Sequence, residues 1–346
     1  MRTEAACQQL KYGVVQCLFV LMTGYGFAQG HADNARQLDS SKSTEYTPPY
    51  SDATENPLKS SGLPDRLLVQ ARSFVQSGKL TEAENAARSY LKTHTASADG
   101  HYLLGYILFR QANARASLAE YTEGAKYRTP TALDLEVVAC DYVLLNDYVD
   151  ADKWFTRAVE WNPKSVLGWY YLGRTKYNEN RFDEASQAFL QCLKLDPKNV
   201  KAADNLGLSY AGAGRIAEAT QAYRNAITWQ ASELIKNSGP FLDYGILLVD
   251  NGRPQDALPY LLQAVQIAPQ DAQAHTQLGK AYLHLNQLKK TQAEFEKAVE
   301  LNPEDAPLRF MLAQVYRREG LKDKAKRALD RYAALNAARS SPQALK

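Results

Sequence analysis

The sequence predicts an all-α protein assembled from stacked helix–turn–helix units, and three observations predict it. A spacing of small and aromatic residues recurs every 34 residues over most of the chain, a period that belongs to stacked arrays and not to one globular core. Larger apolar residues such as Leu172, Phe182 and Phe189 fall three and four apart around them, the stripe of a helix with one buried face. Turn residues punctuate each period: Gly or Asn near its fifteenth position, and Pro163, Pro197, Pro269 and Pro303 near its end.

The first 28 residues stand apart from this pattern. Arg2 and Lys11 give a positive start, Val14 to Met22 is apolar apart from Gln16, and Gly24, Gly26 and Ala28 follow. This is the layout of a secretory signal peptide, with cleavage expected after Ala28. The apolar run is short of the roughly 20 residues that a spanning helix needs. Membrane contact is therefore expected only if the leader stays uncleaved. Residues 29–63 are rich in Ser, Thr, Asp and Asn, hold Pro48, Pro49 and Pro57, and lack helical periodicity. That composition buries too little apolar area to offset chain entropy and reads as a flexible linker.

From residue 64 the small residues align eight units: 64–97, 98–131, 132–165, 166–199, 200–233, 238–271, 272–305 and 306–339, with a tail at 340–346. Each is read as two antiparallel helices of about a dozen residues. Gly78, Gly214, Gly252 and Gly320, with Asn146, Asn180 and Asn286 elsewhere, occupy the turn, where a left-handed backbone is needed. The eighth position is Gly105, Gly173, Gly207, Gly245 and Gly279, or Ala71, Ala139 and Ala313. A larger side chain there would hold the two helices of a unit apart. The second helix repeats the device with Ala83, Ala151, Ala185, Ala219, Ala257 and Ala325, and unit two departs from it with Ser117. Proline closes second helices because it cannot continue the hydrogen-bond ladder.

The register breaks once. Ala231 stands where proline would end unit five, and Leu234 to Asn237 are extra. The second helix of that unit is expected to run on by a turn until Asn237-Ser238-Gly239-Pro240, a stop followed by a new start; insertion and hinge both remain open. The last helix carries Lys322, Lys324, Lys326, Arg327, Asp330 and Arg331, the polar outer side that ends a stack.

Trp169-Tyr170-Tyr171-Leu172-Gly173, followed by Ala185, Phe189 and Pro197, is the fullest copy of the pattern. It resembles the tetratricopeptide repeat family. The resemblance covers about four-fifths of the chain and is weaker in the first two units, where Leu67 and Gln70 replace favoured residues. It implies a right-handed superhelical solenoid whose first helices line a concave groove, mainly through positions 2, 5, 6, 9, 12 and 13. Helical spacing independently puts these positions on one side, away from the packing residues.

The candidate partner-binding residues follow from that register. Unit two supplies Tyr102, Leu103, Tyr106, Phe109 and Arg110; unit three Glu136, Val137, Cys140, Val143 and Leu144; unit four Tyr170, Tyr171, Arg174, Tyr177 and Asn178. Of these, Tyr102, Tyr106, Phe109, Arg110, Tyr170, Tyr171, Arg174 and Tyr177 are the strongest candidates, because Tyr and Arg combine contact area with polar handles. Packing between units is the competing role for the aromatic ones. Farther along, Asp204, Asn205, Asp243 and Asp250 give way to Lys280, His284, Arg317 and Arg318, so the groove is expected to change from acidic to basic.

Catalytic patterns are missing from the sequence. His31, His94, His101, His275 and His284 form no H-E-x-x-H arrangement, no cysteine pair has zinc spacing, and there is no phosphate loop or nucleophile turn. The Gly-rich stretch Tyr210 to Gly214 falls in a repeat turn. No enzyme activity and no cofactor are expected. The formal charge of +3 is too small to point to nucleic acid. With the leader removed, Cys140 and Cys192 remain; the register places them on faces that point apart, so they read as two small buried thiols. The cytosolic co-chaperone members of the family grip a terminal carboxylate with Lys, Asn and Arg from three successive units. No such set occurs here, Asn205 lacking basic flanks. The expectation is an exported, periplasmic or extracellular, non-catalytic scaffold that binds a peptide or helix of a protein partner. A polysaccharide ligand, as for family members in envelope export machinery, is the alternative.

Overall fold

The computed structural model describes residues 65–339, and among them every regular element is helical. The leader, the linker and the tail 340–346 lie outside the described residues. None of the described helices is long and apolar enough to cross a membrane. The chain divides into two units at Glu179 and Asn180.

The first unit pairs α1 (Arg66–Gln76) with α2 (Leu80–Leu91), α3 (Ala98–Arg110) with α4 (Ala114–Gly124), and α5 (Ala132–Leu144) with α6 (Tyr148–Trp161), and ends on α7 (Val166–Asn178). The second opens on α8 (Phe182–Leu195). It then pairs α9 (Val200–Gly212) with α10 (Ile216–Trp229), α11 (Gly239–Asp250) with α12 (Pro254–Ile267), α13 (Ala272–His284) with α14 (Leu288–Leu301), and α15 (Ala306–Arg318) with α16 (Lys322–Arg339). Consecutive helices within each unit pack on one another, as in a repeat solenoid, and the described residues hold sixteen α-helices.

Both ends of the first helices have local causes. Their N-termini are capped from the residue that closes the preceding repeat: Ser97, Thr131, Ser165, Asn199, Asp271 and Asp305 each accept a backbone N–H of the first turn. Thr131 and Asp134 complete a reciprocal capping box. At the C-termini the chain turns through a left-handed residue, and the next N–H reaches back to a carbonyl five residues earlier, as Arg253 does to Leu248 at 2.8 Å. Gly78, Gly214, Gly252 and Gly320 hold that position with φ of 70–75°, and Asn146, Asn180 and Asn286 with φ of 57–59°. Repeat two places Ala112 there, at φ 59°.

The eighth position behaves as expected from its small residues. A methyl on Gly207 would stand 2.5 Å from the Tyr223 ring, and one on Gly279 2.5 Å from Phe295. The partner is a large side chain of the second helix, fully buried in each case. Where Ala gives way in that helix, Ser117 and Thr291 are wholly buried; Ser117 donates to the Gly105 carbonyl at 2.8 Å and Thr291 to that of Gln287.

The fourth position does more than pack. Its polar nitrogen reaches the carbonyl near the end of the preceding repeat: His101 to Thr95, Trp169 to Pro163, His275 to Pro269 and Arg309 to Pro303, at 2.9–3.2 Å. A proline or irregular residue leaves that carbonyl without a helical donor, and these side chains supply one. His101 and His275 also meet Glu120 and Glu294 through the other ring nitrogen, both at 2.7 Å.

The register break differs from its expectation. The helix α10 stops at Trp229 and only a single 3-10 turn, Gln230–Ser232, follows. The reason lies in Gln230, fully buried, whose side-chain amide donates to the Asn237 carbonyl and accepts from the Asn237 N–H. That clasp closes the insertion into a loop with Leu234 and Ile235 at its exposed tip. The new start is capped by Asn237, which accepts the Gly239 N–H, and not by Ser238. At the far end, the charged residues of α16 from Lys322 to Arg331 are exposed while Ala325, Ala328 and Leu335 are buried, as a terminal cap requires.

Candidate functional site

The predicted binding face of the first unit is built by α3, α5 and α7. The structure separates its eight strongest candidates into two groups. Tyr102 and Tyr106 are 1% exposed and belong to the core of the first repeats; they are not available to a partner. The cause is local. A Cβ at Gly124 would stand 2.6 Å from the Tyr102 ring, so the glycine that ends the short α4 makes room for it, and the chain beyond returns the Arg128 carbonyl to accept its hydroxyl. Burial raises the Tyr102 phenol to about 12, with Asp134 adding to the rise and Arg128 opposing it. Tyr106 sits one turn along, its hydroxyl accepting from Arg110 at 3.0 Å. Leu103 and Val137 are buried as well.

The second group remains partly exposed: Phe109, Arg110, Tyr170, Tyr171, Arg174 and Tyr177. Phe109 and Arg110 mark the C-terminal end of α3, and Arg110 lies over the Tyr106 ring with its centre 5.8 Å from the centroid. On α7 the rings of Tyr170 and Tyr171 meet edge to face at 5.4 Å, and Tyr171 stacks on the buried Phe155 at 5.9 Å. Tyr171 is thus seated from below and holds its phenol well above the usual range, chiefly through burial, with Cys140 and Tyr170 adding and Arg174 opposing. Tyr148, at the start of α6, belongs with this group: its phenol is raised by burial and drawn back by Arg174. Sequence reasoning missed it because it lies on a second helix, outside the positions taken to line the face.

Between α3 and α7 the accessible part of the face is apolar. Leu144 is half-buried and Val143 buried. Glu136 is 4% exposed and accepts from the Ser165 hydroxyl at 2.6 Å; burial raises its carboxyl and that bond opposes the rise. Cys140 corrects its expectation as a buried thiol, being partly exposed, although desolvation and the nearby Glu136 and Asp141 push its thiol far up. Cys192, in the second unit, is fully buried; both are free. The charges left accessible on this face are therefore those of Arg110 and Arg174.

In the second unit the acidic part of the expected change is thinned but not removed. Asp204 and Asp243 are buried at 6% and 3% exposure, whereas Asp250, His284, Arg317 and Arg318 are exposed and Lys280 half-buried. Arg318 donates to Asn286 at 2.6 Å. Among the described residues there is no group of three or more His, Cys, Asp or Glu placed to hold a metal ion.

Models of the tetratricopeptide repeat match residues 68–132, 166–199, 200–233, 248–294 and 294–327, more than half of the chain. No curated protein matches in sequence. Among solved structures, the chain is similar to a tetratricopeptide repeat protein from Parabacteroides merdae, with TM-score 0.58 and 19% identity over 72% of this chain and 97% of that one. It is also similar to PilW, described as a widely conserved type IV pilus biogenesis factor (TM-score 0.54, 21% identity, 62% of this chain and 96% of that one). The Cut9–Hcn1 hetero-tetramer of the APC/C aligns with TM-score 0.54 and 17% identity over 80% of this chain and 54% of its own. At these identities the likeness carries the fold alone.

Proposed function

The chain belongs to the tetratricopeptide repeat family, and from that premise we propose that it is a non-catalytic interaction scaffold that captures a segment of a partner protein on the face formed by α3, α5 and α7. One observation carries the reading. On one helix, α7, Tyr170, Tyr171, Arg174 and Tyr177 all remain partly exposed, while the residues that make the stack, Leu172 and Gly173, are buried. Aromatic and Arg side chains gathered on a supported surface are the composition of binding hot spots. The apolar stretch between them, with Leu144 and the uncharged Cys140, favours a peptide or amphipathic helix over a glycan, whose hydroxyls need accessible carboxylates; here Glu136 is buried. Export to a periplasm or the cell exterior is proposed on the leader alone.

The test is a double variant, Arg174→Ala with Tyr177→Ala, in the full chain. Proteins that copurify with the wild type are identified and quantified against the variant. The reading expects a discrete protein to be lost at least tenfold while the thermal midpoint stays the same. Retention of every partner by a folded variant contradicts the face; binding to a glycan array with no protein partner favours the polysaccharide ligand instead.

A further inference from the structure

Asp141 has no part in the face just described, and its surroundings are unusual. It is wholly buried, and neither carboxyl oxygen has a hydrogen-bond donor. It lies in the contact between α5 and the second helix of the preceding repeat, beside Ser117, also wholly buried. Ser117 has one hydroxyl hydrogen and spends it on the Gly105 carbonyl. What it has left to offer is a lone pair. A neutral Asp141 tolerates this dry site, whereas an ionised one has no donor unless the Ser117 hydrogen turns away from the Gly105 carbonyl.

We propose that Asp141 is a pH-sensitive joint between the second and third repeats, closed while its carboxyl is protonated and loosened when it ionises. Ionisation has two outlets. Either Ser117 turns its hydrogen to the carboxylate and orphans the Gly105 carbonyl, or water enters between α4 and α5. Each costs packing at a close contact, since a buried unpaired charge is far more costly than a buried neutral acid.

The charges on the packed helices leave Asp141 alone. On its own helix, Cys140 is uncharged and Glu136 is desolvated and bonded by Ser165. On α4, Arg115 is exposed and Glu120 is committed to His101. On α3, Asp99 pairs with Arg128 and Arg110 lies on Tyr106. On α6, Asp150 pairs with Lys153 and Asp152 with Lys176. Burial accordingly dominates and lifts the Asp141 carboxyl to about 8, with the Ser117 hydroxyl opposing. The same register position is Ile107 in repeat two and Leu247 in repeat six, both buried, so a neutral side chain fits this site.

The sign follows from linkage. A carboxyl raised on folding gives stability that is complete below its unfolded value near 4 and is lost as pH rises toward about 8. The experiment compares the full wild-type chain with Asp141→Asn and Asp141→Leu by urea unfolding from pH 5 to 9 and by hydrogen exchange in α4 and α5. The joint predicts that the wild-type unfolding constant rises relative to Asp141→Asn by up to about tenfold per pH unit below 8. Above 8, exchange in α4 and α5, corrected for intrinsic rate, accelerates in the wild type only. Parallel pH profiles with equal exchange overturn it, and so does failure of both neutral variants to fold at pH 7. A loss of partner capture above pH 8 rests in addition on the proposed function; the unfolding and exchange measurements need no partner, so the two fail separately.

Discussion

Tyr102 and Tyr170 occupy the same register of their repeats, yet one is core and the other lies on the surface of α7. Register tells which side of a helix a residue leaves from, and neighbours decide whether anything covers it. Gly124 and the Arg128 carbonyl cover Tyr102; both sit more than twenty residues away in sequence, and nothing in the repeat pattern announces them. The distinction has a measurable consequence. Tyr106→Ala removes a fully buried ring and is expected to cost about 3–5 kcal/mol, the range for large aromatic truncations, whereas Tyr177→Ala should cost less than half of that. Urea denaturation of the two variants checks the difference; equal costs would place both residues in the same environment. The small residues permit a second forecast at this scale. Gly207→Ala drives a methyl to 2.5 Å from the Tyr223 ring and should cost about 1–3 kcal/mol by overpacking, read from the same denaturation curves.

At the scale of elements, the turn between paired helices is the most demanding piece of backbone, since it needs a left-handed residue. Seven repeats meet the need with Gly or Asn, and repeat two uses Ala112 at φ 59°. Replacing it by the residue the turn prefers, Ala112→Gly, should stabilise the protein by up to about 1 kcal/mol, visible as a higher melting temperature; a loss of stability would show that the alanine is not strained. Helix boundaries, turns and the close-packed small residues were legible from sequence because each rests on local chemistry repeated eight times. Less legible were features in which a side chain satisfies a backbone group at a junction between helices. The N-caps at the ends of repeats bond the turn they start, while the fourth-position donors and the Gln230 clasp reach backbone outside their own helix. A Trp at the fourth position reads as an apolar packing residue, yet Trp169 is partly exposed and its indole N–H serves Pro163. The extra residues at 234–237 were visible, but continuation of α10 was the wrong inference, because a polar side chain buried against the loop was cheaper to satisfy by closing the chain on itself.

At the scale of the whole molecule, the sixteen α-helices of the described residues leave function to whatever the stacking does not use. The most exposed rings, Tyr127, Trp161 and Phe310, stand apart from one another on other helices and loops, whereas α7 gathers three half-buried tyrosines and Arg174 on one helix, with Phe109 and Arg110 at the end of α3. The central claim is that this group contacts a partner. It is tested most directly by placing a photoreactive amino acid at Tyr177, and for comparison at Val149, a 59% exposed residue of α6, in the full chain inside the producing cell. The account predicts a discrete crosslinked protein adduct from position 177 and none from position 149. An adduct from 149 alone, or from neither, would contradict it.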